Sequence, residues 1–168
     1  KTCVGSTFCR FGTQDSIEMG IRIEKAYECL DTPAKVKLAV SGCPRNCAEA
    51  TIKDFGVVAI DGGWELYVGG NGGVKVRVAD LLCVVKTEEE VLEWCGAFLQ
   101  LYRENAQWNE RTSHWVERVG LDFVKKALEN REDRLGCCWN AFASRWPPPR
   151  IRGRKSSPTR SCAGNMKC

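Results

Sequence analysis

Two pairs of cysteines constrain this chain more than any other feature in it. Cys3 and Cys9 are separated by five residues, Cys43 and Cys47 by three, and 33 residues lie between the pairs. With Pro44 in a first helical turn, where its missing N–H costs nothing, Cys43 and Cys47 stand an i, i+4 step apart. Their Cβ atoms are then about 5–6 Å from each other, a reach that suits two corners of a cubane iron–sulfur cluster. A helix starting there also turns its dipole and free amides toward negative sulfur. Gly5 and Gly42 let backbone come close beside each pair. Two other readings stand beside this one. Structural zinc takes its ligands from knuckles of two to four residues, which the Cys3–Cys9 gap fits poorly. Buried, unligated cysteines need no Gly and Pro punctuation around both pairs. Spacing alone favours the iron–sulfur cluster.

The chain holds eleven cysteines in 168 residues, an odd number. A small secreted protein with this content would be a disulfide framework, but this chain is long and carries ordinary helix and strand patterns, so reduced thiols holding a metal are the better reading. Cys29, Cys83 and Cys95 fall on apolar faces and read as buried small hydrophobes. The last four, Cys137, Cys138, Cys162 and Cys168, belong to a stretch of different character.

That stretch shows when charge is counted on either side of Gly136. Of 25 basic residues, seven lie in 137–168 with no acidic partner, which leaves 18 basic against 21 acidic upstream. The body is therefore −3 and the tail +7. The tail also holds Pro147, Pro148, Pro149 and Pro158 and contains no Leu or Val, so it cannot bury enough apolar surface to order itself, and disorder is expected from about residue 140. Its sudden loss of acidic and aliphatic residues resembles translation in a wrong frame or through an unspliced intron. No apolar run approaches the roughly 18 residues a membrane span needs. The opening Lys1-Thr2-Cys3 has neither initiator Met nor leader, and the chain reads as a fragment.

Asp15, with Glu18 three residues on, caps a helix in which Ile17, Ile21 and Tyr27 continue toward Leu30, and which ends before Pro33. Val36, Leu38 and Val40 alternate with Lys37 and Ala39, predicting a strand that runs into Ser41-Gly42-Cys43-Pro44-Arg45-Asn46-Cys47. Residues 55–60 and 64–68 are β-rich runs joined by Asp61-Gly62-Gly63, a hairpin signal. The run Gly69-Gly70-Asn71-Gly72-Gly73 predicts close backbone approach to a neighbour. Val74, Val76 and Val78 alternate with Lys75 and Arg77. Thr87 followed by Glu90 opens a helix that buries Val91, Trp94, Cys95, Phe98, Leu101 and Tyr102. A further helix is predicted over about 113–129, weakened in its middle by Gly120. The class is α+β, a mixed or antiparallel sheet with packed helices.

Residues 2–10 (Thr2-Cys3-Val4-Gly5-Ser6-Thr7-Phe8-Cys9-Arg10) and 41–50 (from Ser41-Gly42-Cys43 to Glu49-Ala50) resemble the two cysteine signatures of the sirohaem-[4Fe-4S] nitrite and sulfite reductases. Residues 69–73 and Arg111-Thr112-Ser113-His114-Trp115 are more similar to the assimilatory NAD(P)H nitrite reductases than to the sulfite enzymes. The resemblance covers residues 1–135, which it identifies as the C-terminal lobe of that fold, with 136–168 as a separate tail. It implies a [4Fe-4S] cluster on Cys3, Cys9, Cys43 and Cys47, with Cys47 also the axial ligand of sirohaem iron. It implies six-electron reduction of nitrite to ammonium, with FAD and NAD(P)H acting through regions absent from this chain. The partners implied are those upstream lobes and a small subunit, in the cytoplasm. Arg10, Arg45 and Lys53 flank the motifs and read either as partners of the carboxylates of sirohaem or as ordinary surface charges, while Asn46 either approaches the cofactors or shapes the turn. No catalytic residue is assigned, because most of those around the anion belong to the preceding lobe, and the fragment is expected to be inactive alone. The alternatives are a sulfite reductase haemoprotein fragment and a non-catalytic Fe–S or zinc module.

His114, the one histidine, sits beside Trp115 on a predicted helix and reads as core or surface. Trp94, Phe98, Trp108 and Trp115 read as packing. The basic tail has the charge for nucleic acid, but it lacks a fold and aromatic interleaving beyond Trp139 and Trp146, so nucleic acid is not the expected partner.

Overall fold

Side-chain caps start the two long helices. In the computed structural model, which describes residues 1–129, the Asp15 carboxylate accepts the Ile17 and Glu18 amides at 2.9 and 3.0 Å and opens a helix over Ser16–Tyr27. This is α2, because a four-residue turn of helix over Gly5–Phe8 precedes it as α1. The Thr87–Glu90 capping box is complete and opens α3 over Glu88–Asn105. Glu88 and Glu89 in the first turn of α3 favour its dipole and both pair with Arg22 of α2. The last predicted helix is two: α4 over Thr112–Val119 and α5 over Leu121–Glu129. Gly120 separates them at φ +83°, a left-handed conformation that stops a helix and that glycine adopts freely. α2 also ends earlier than its apolar spacing predicts, at Tyr27, with Cys29 at φ +61°.

The main sheet is mixed, with strand order β1-β2-β3-β6. β1 (Leu38–Ser41) runs parallel to β2 (Phe55–Ile60), which pairs antiparallel with β3 (Gly63–Val68), and β3 with β6 (Asp80–Val85). The hairpin predicted at Asp61-Gly62-Gly63 is present, with Gly62 at φ +72°. Between β3 and β6, β4 (Asn71–Gly72) and β5 (Val76–Arg77) form a separate two-stranded ribbon. Val74, Val76 and Val78 are all exposed on it, so their alternation marks no buried face.

One sheet face carries the main core. Phe55, Val57, Trp64, Leu66 and Val68 meet Met19 and Ile23 of α2, Phe98 and Tyr102 of α3, and Trp115 of α4. Phe98 and Trp115 pack edge to face at 5.9 Å between ring centroids, as do Tyr102 and Trp115 at 5.5 Å, the arrangement aromatic quadrupoles favour. The opposite face is covered near β1 by a small cluster of Ala39, Ala48, Ala50 and Val58, with Cys3 and Tyr67 at its margin. Because Ala48 and Ala50 follow Cys47 directly, the second cysteine motif is the lid of that face.

Cys95 is fully buried as its helical spacing predicts, and burial pushes its thiol up out of the range where it would ionise. Cys83 is half-buried, and Cys29 is exposed on the turn that ends α2, so it is no buried hydrophobe. Trp108 is 47% exposed in the connection between α3 and α4, unlike the buried Phe98 and Trp115. Among the described residues, no helix is long and apolar enough to cross a membrane. The tail predicted from residue 136 lies outside the described residues.

Candidate metal centre

The two cysteine loops are joined backbone to backbone. A short parallel bridge between Thr2 and Val40 sets the opening segment beside β1. The chain then folds over α1 and returns, so that the Thr13 and Gln14 amides both donate to the Gly42 carbonyl, at 2.7 and 3.2 Å. A Cβ added to Gly42 would fall 2.7 Å from Gly5 Cα and 3.0 Å from the Gln14 carbonyl oxygen. Gly42 is therefore glycine because the first loop occupies its side-chain space. Gly5 is glycine for two reasons: it has φ +55°, and its own Cβ would lie 2.7 Å from the Ser16 nitrogen.

This seam brings a donor to sulfur. The Gly42 amide donates to Cys3 Sγ at 3.0 Å, and Ser16 Oγ lies 3.2 Å from the same sulfur while donating to the Cys3 carbonyl at 3.0 Å. Partial burial pushes the Cys3 thiol up, but its hydrogen bonding with Ser16 and the bond from the Gly42 amide outweigh it, and the net direction is down. Ser16 is the first residue of α2, so the helix amino end near the cysteines is that of α2, beside Cys3.

No helix begins at Pro44. Residues 43–49 form consecutive turns, followed by a single 3-10 turn over Ala50–Ile52. Asn46 at φ +54° and Glu49 at φ +58° are left-handed, which breaks the predicted i, i+4 geometry of Cys43 and Cys47. The Asn46 amide replaces the helix as organiser. Its Oδ1 accepts the Ala50 amide at 2.7 Å and the Ser41 hydroxyl at 3.1 Å, and its Nδ2 donates to Thr51 Oγ1 at 2.7 Å. An asparagine in this conformation can hold a turn by bonding local backbone, and all three bonds stay within residues 41–51.

Cys43 is buried, Cys3 and Cys9 are half-buried, and Cys47 is exposed, each as a free thiol. The exposed Arg10 and Arg45 converge on Phe11, with guanidinium carbons 4.5 and 3.7 Å from the ring centroid. The ring thus ties the turn that follows Cys9 to the turn that carries Cys47, and it gathers two cations. Lys53 instead pairs with Glu49 at 3.2 Å. His114 is exposed on α4, away from the cysteine loops in sequence.

Further residues position this region without a signal in the chain. Phe11 and Ser16 lack any motif of their own. The buried Asp54 accepts from the Lys37 amide at 2.7 Å, from Arg111 at 2.7 Å and from the Thr112 hydroxyl. It thus fixes the end of the second cysteine loop to the start of α4. The glycine run makes the predicted close approach, and the neighbour is this same loop: a Cβ on Gly70 would sit 2.5 Å from the Lys53 carbonyl oxygen.

Among the described residues, no three His, Cys, Asp or Glu side chains converge on one point that would hold a single metal ion. A cubane iron–sulfur cluster takes four thiolates, one on each iron corner. Four thiols on two stitched loops, with an amide aimed at one sulfur, fit a cluster of that kind.

Comparison with known proteins bears on the same residues. Residues 1–135 match the nitrite and sulphite reductase 4Fe-4S domain. Over 134 residues the chain is 66% identical to a nitrite reductase [NAD(P)H] of Bacillus subtilis, covering 80% of this chain and 17% of that protein. It is 39% identical over 128 residues to an assimilatory-type sulfite reductase of Nitratidesulfovibrio vulgaris, covering 76% of this chain and 59% of the other. Among solved structures, Mycobacterium tuberculosis NirA shares the fold at a TM-score of 0.59 and 22% identity, over 72% of this chain and 25% of that one. The chain thus spans about a sixth of the length of the Bacillus relative.

Proposed function

This chain belongs to the nitrite and sulphite reductase 4Fe-4S domain family, and on that premise we propose that Cys3, Cys9, Cys43 and Cys47 hold its [4Fe-4S] cluster in an assimilatory nitrite reductase. The observation that carries the ligand assignment is the Gly42 seam, which stitches both cysteine loops together and aims an amide at Cys3 Sγ at 3.0 Å. In this reading Cys47 would also hold sirohaem iron, and its exposure leaves its sulfur open to a second group. When bound, the coupled cofactors supply single electrons, six of which take nitrite to ammonium.

The chain's own residues hold and tune. The Gly42 amide, which donates to Cys3 Sγ, stabilises negative sulfur there. Asn46 sets the turn that presents Cys47. Arg10 and Arg45, held over Phe11 beside the cysteine turns, offer two guanidinium forks to the carboxylates of sirohaem. Electrons come from NAD(P)H through flavin-bearing regions of a longer polypeptide, which with a small subunit makes up the cytoplasmic enzyme. Nitrite is preferred to sulfite as substrate because identity is 66% to the nitrite reductase and 39% to the sulfite reductase.

Anaerobic iron and acid-labile sulfide analysis after reconstitution, with an optical spectrum, tests the ligand assignment on the parent and on Cys47→Ser. About four irons and four sulfides per chain in the parent, disturbed in the variant, are expected. Zinc, or no metal on soluble folded chain, would refute it. The chain alone is expected not to turn over nitrite.

A further inference from the structure

Ser16 carries a buried hydroxyl that its own helix does not use. It is the first residue of α2, but Asp15 caps that helix by accepting the Ile17 and Glu18 amides. The Ser16 hydroxyl turns instead into the seam between the cysteine loops. It is fully buried there, and a Cβ on Gly5 would fall 2.6 Å from Ser16 Oγ and one on Gly42 3.1 Å from it. In that position it has a single hydrogen and two acceptors, both belonging to Cys3: the carbonyl oxygen at 3.0 Å and Sγ at 3.2 Å.

As a free thiol, Cys3 satisfies both contacts. Ser16 gives its hydrogen to the Cys3 carbonyl and the Cys3 S–H gives its own to Ser16 Oγ, so the hydroxyl donates once and accepts once. Ligation removes that arrangement. A cysteine that binds iron releases its proton to solvent and faces Ser16 as a bare acceptor, and Oγ and Sγ at this separation would meet lone pair to lone pair. Rotation about the serine C–O bond ends that conflict, and a hydrogen bond to an ionised acceptor is roughly twice as strong as one between neutral groups. The Gly42 amide, which donates to Cys3 Sγ at 3.0 Å, is part of the backbone and has no such freedom.

We propose that Ser16 is a switchable donor: its hydroxyl hydrogen turns from the Cys3 carbonyl to Cys3 Sγ when Cys3 is a cluster ligand, and thereby raises the reduction potential of the cluster. The proposal rests on the assignment of Cys3 as such a ligand. An added electron puts more negative charge on sulfur, so the O–H···S bond is stronger in the reduced state and favours it. The electron comes from the external reductant, no covalent bond breaks and the proton stays on Ser16 throughout. Ser16 acts through Cys3, as a positioning residue.

The experiment uses the 168-residue chain, Ser16→Ala and Gly120→Ala, each reconstituted anaerobically with iron and sulfide. Iron content, the midpoint potential from a dithionite titration followed by EPR, and pulsed ENDOR of the reduced cluster after exchange into D2O are measured on all three. Gly120 has φ +83° and open space where a Cβ would go, so its alanine variant loosens the fold by backbone strain between α4 and α5 and leaves the seam alone. Ser16→Ala is expected to keep parental iron and to raise the oxidised-to-reduced ratio at a fixed potential by roughly three- to tenfold, the upper figure being about 59 mV for one electron. One exchangeable deuteron coupled to the cluster in the parent is expected to be absent from Ser16→Ala, and neither change is expected in Gly120→Ala. Parental potential or undiminished deuteron coupling in an iron-replete Ser16→Ala would overturn the proposal and leave the cluster assignment standing. Equal shifts in both variants, or loss of iron from Ser16→Ala alone, would overturn it by making Ser16 a support of the loop. A parent chain that takes up no cluster would overturn the assignment of Cys3 and the proposal with it.

Discussion

Gly42→Ala is the most informative single change at the cysteine loops, because it adds one methyl group where the structure has backbone. The new Cβ would stand 2.7 Å from Gly5 Cα, against the 3.4 Å at which ordinary contact begins, so the loops must part by about 0.7 Å. Neither the Gln14 carbonyl at 3.0 Å nor Gly5 Cα is the end of a flexible side chain, so the strain passes into the two hydrogen bonds that Gly42 accepts from Thr13 and Gln14. Overpacking of this kind costs about 1–3 kcal/mol, which lowers a urea midpoint by roughly 0.5–1.5 M for a domain of this size. It also lengthens the Gly42 amide's bond to Cys3 Sγ, so the variant is expected to retain clearly less iron than the parent after reconstitution. Gly62→Ala is the control. Gly62 has φ +72° and open space where a Cβ would go, so this variant loses about 1–2 kcal/mol through backbone strain alone and keeps its iron. Gly42→Ala with parental stability and parental iron would refute the reasoning. So would equal iron loss in both variants.

Asp54→Ala leaves Arg111 and Thr112 without their buried acceptor and is expected to cost about 3–5 kcal/mol, the range for breaking a buried pair from one side, read as a large fall in thermal midpoint. Phe11→Leu removes the ring beneath Arg10 and Arg45. It is expected to cost under about 1 kcal/mol in stability while raising the exchange of loop amides such as Gly12. At Glu110, the Arg118 side-chain hydrogen bond is the largest influence, and it holds the carboxyl below its ordinary 4.5. A depressed carboxyl stabilises the fold above its unfolded value and loses that contribution as pH falls through the folded one. The parent is therefore expected to exceed Arg118→Ala in thermal midpoint above about pH 5 and to lose the advantage below pH 4.5; a constant difference across that range would refute the assignment.

Where one side chain or one period decides, the chain was readable. Asp15 and the Thr87–Glu90 box announced α2 and α3, and Asp61-Gly62-Gly63 announced the β2–β3 hairpin, because caps and tight turns are local bargains between neighbours. Gly120 was visible as a weak point, but a propensity cannot say whether a glycine bends a helix or ends it. Pro44 misled for the same reason. Its fixed φ suits a helix start, and only the left-handed Asn46, held by Ser41, Ala50 and Thr51, shows that the turn never becomes one. The valines of the β4–β5 ribbon obey strand alternation and yet bury nothing, since alternation reports pairing geometry and not what lies across the face. The cysteine pairs themselves were legible from spacing. The means of joining them was not, because Gly42 meets Gly5, Gln14 and Ser16 across a long stretch of sequence, and Phe11 meets Arg45 the same way.

The glycine seams also decide what kind of mutational map this protein would yield. Gly5, Gly42, Gly56 and Gly70 each bring main chain close to main chain, with an added Cβ falling 2.1–2.7 Å from its nearest main-chain neighbour. An alanine scan deletes atoms elsewhere and counts the loss, so at these positions it becomes the opposite experiment, an insertion. A map read for truncation alone would show a quiet region broken by a few severe glycine entries and would credit them to flexibility. A series from glycine through alanine to serine and valine would show a graded response to volume instead, and would outline the contact surface between the loops at the scale of single methyl groups.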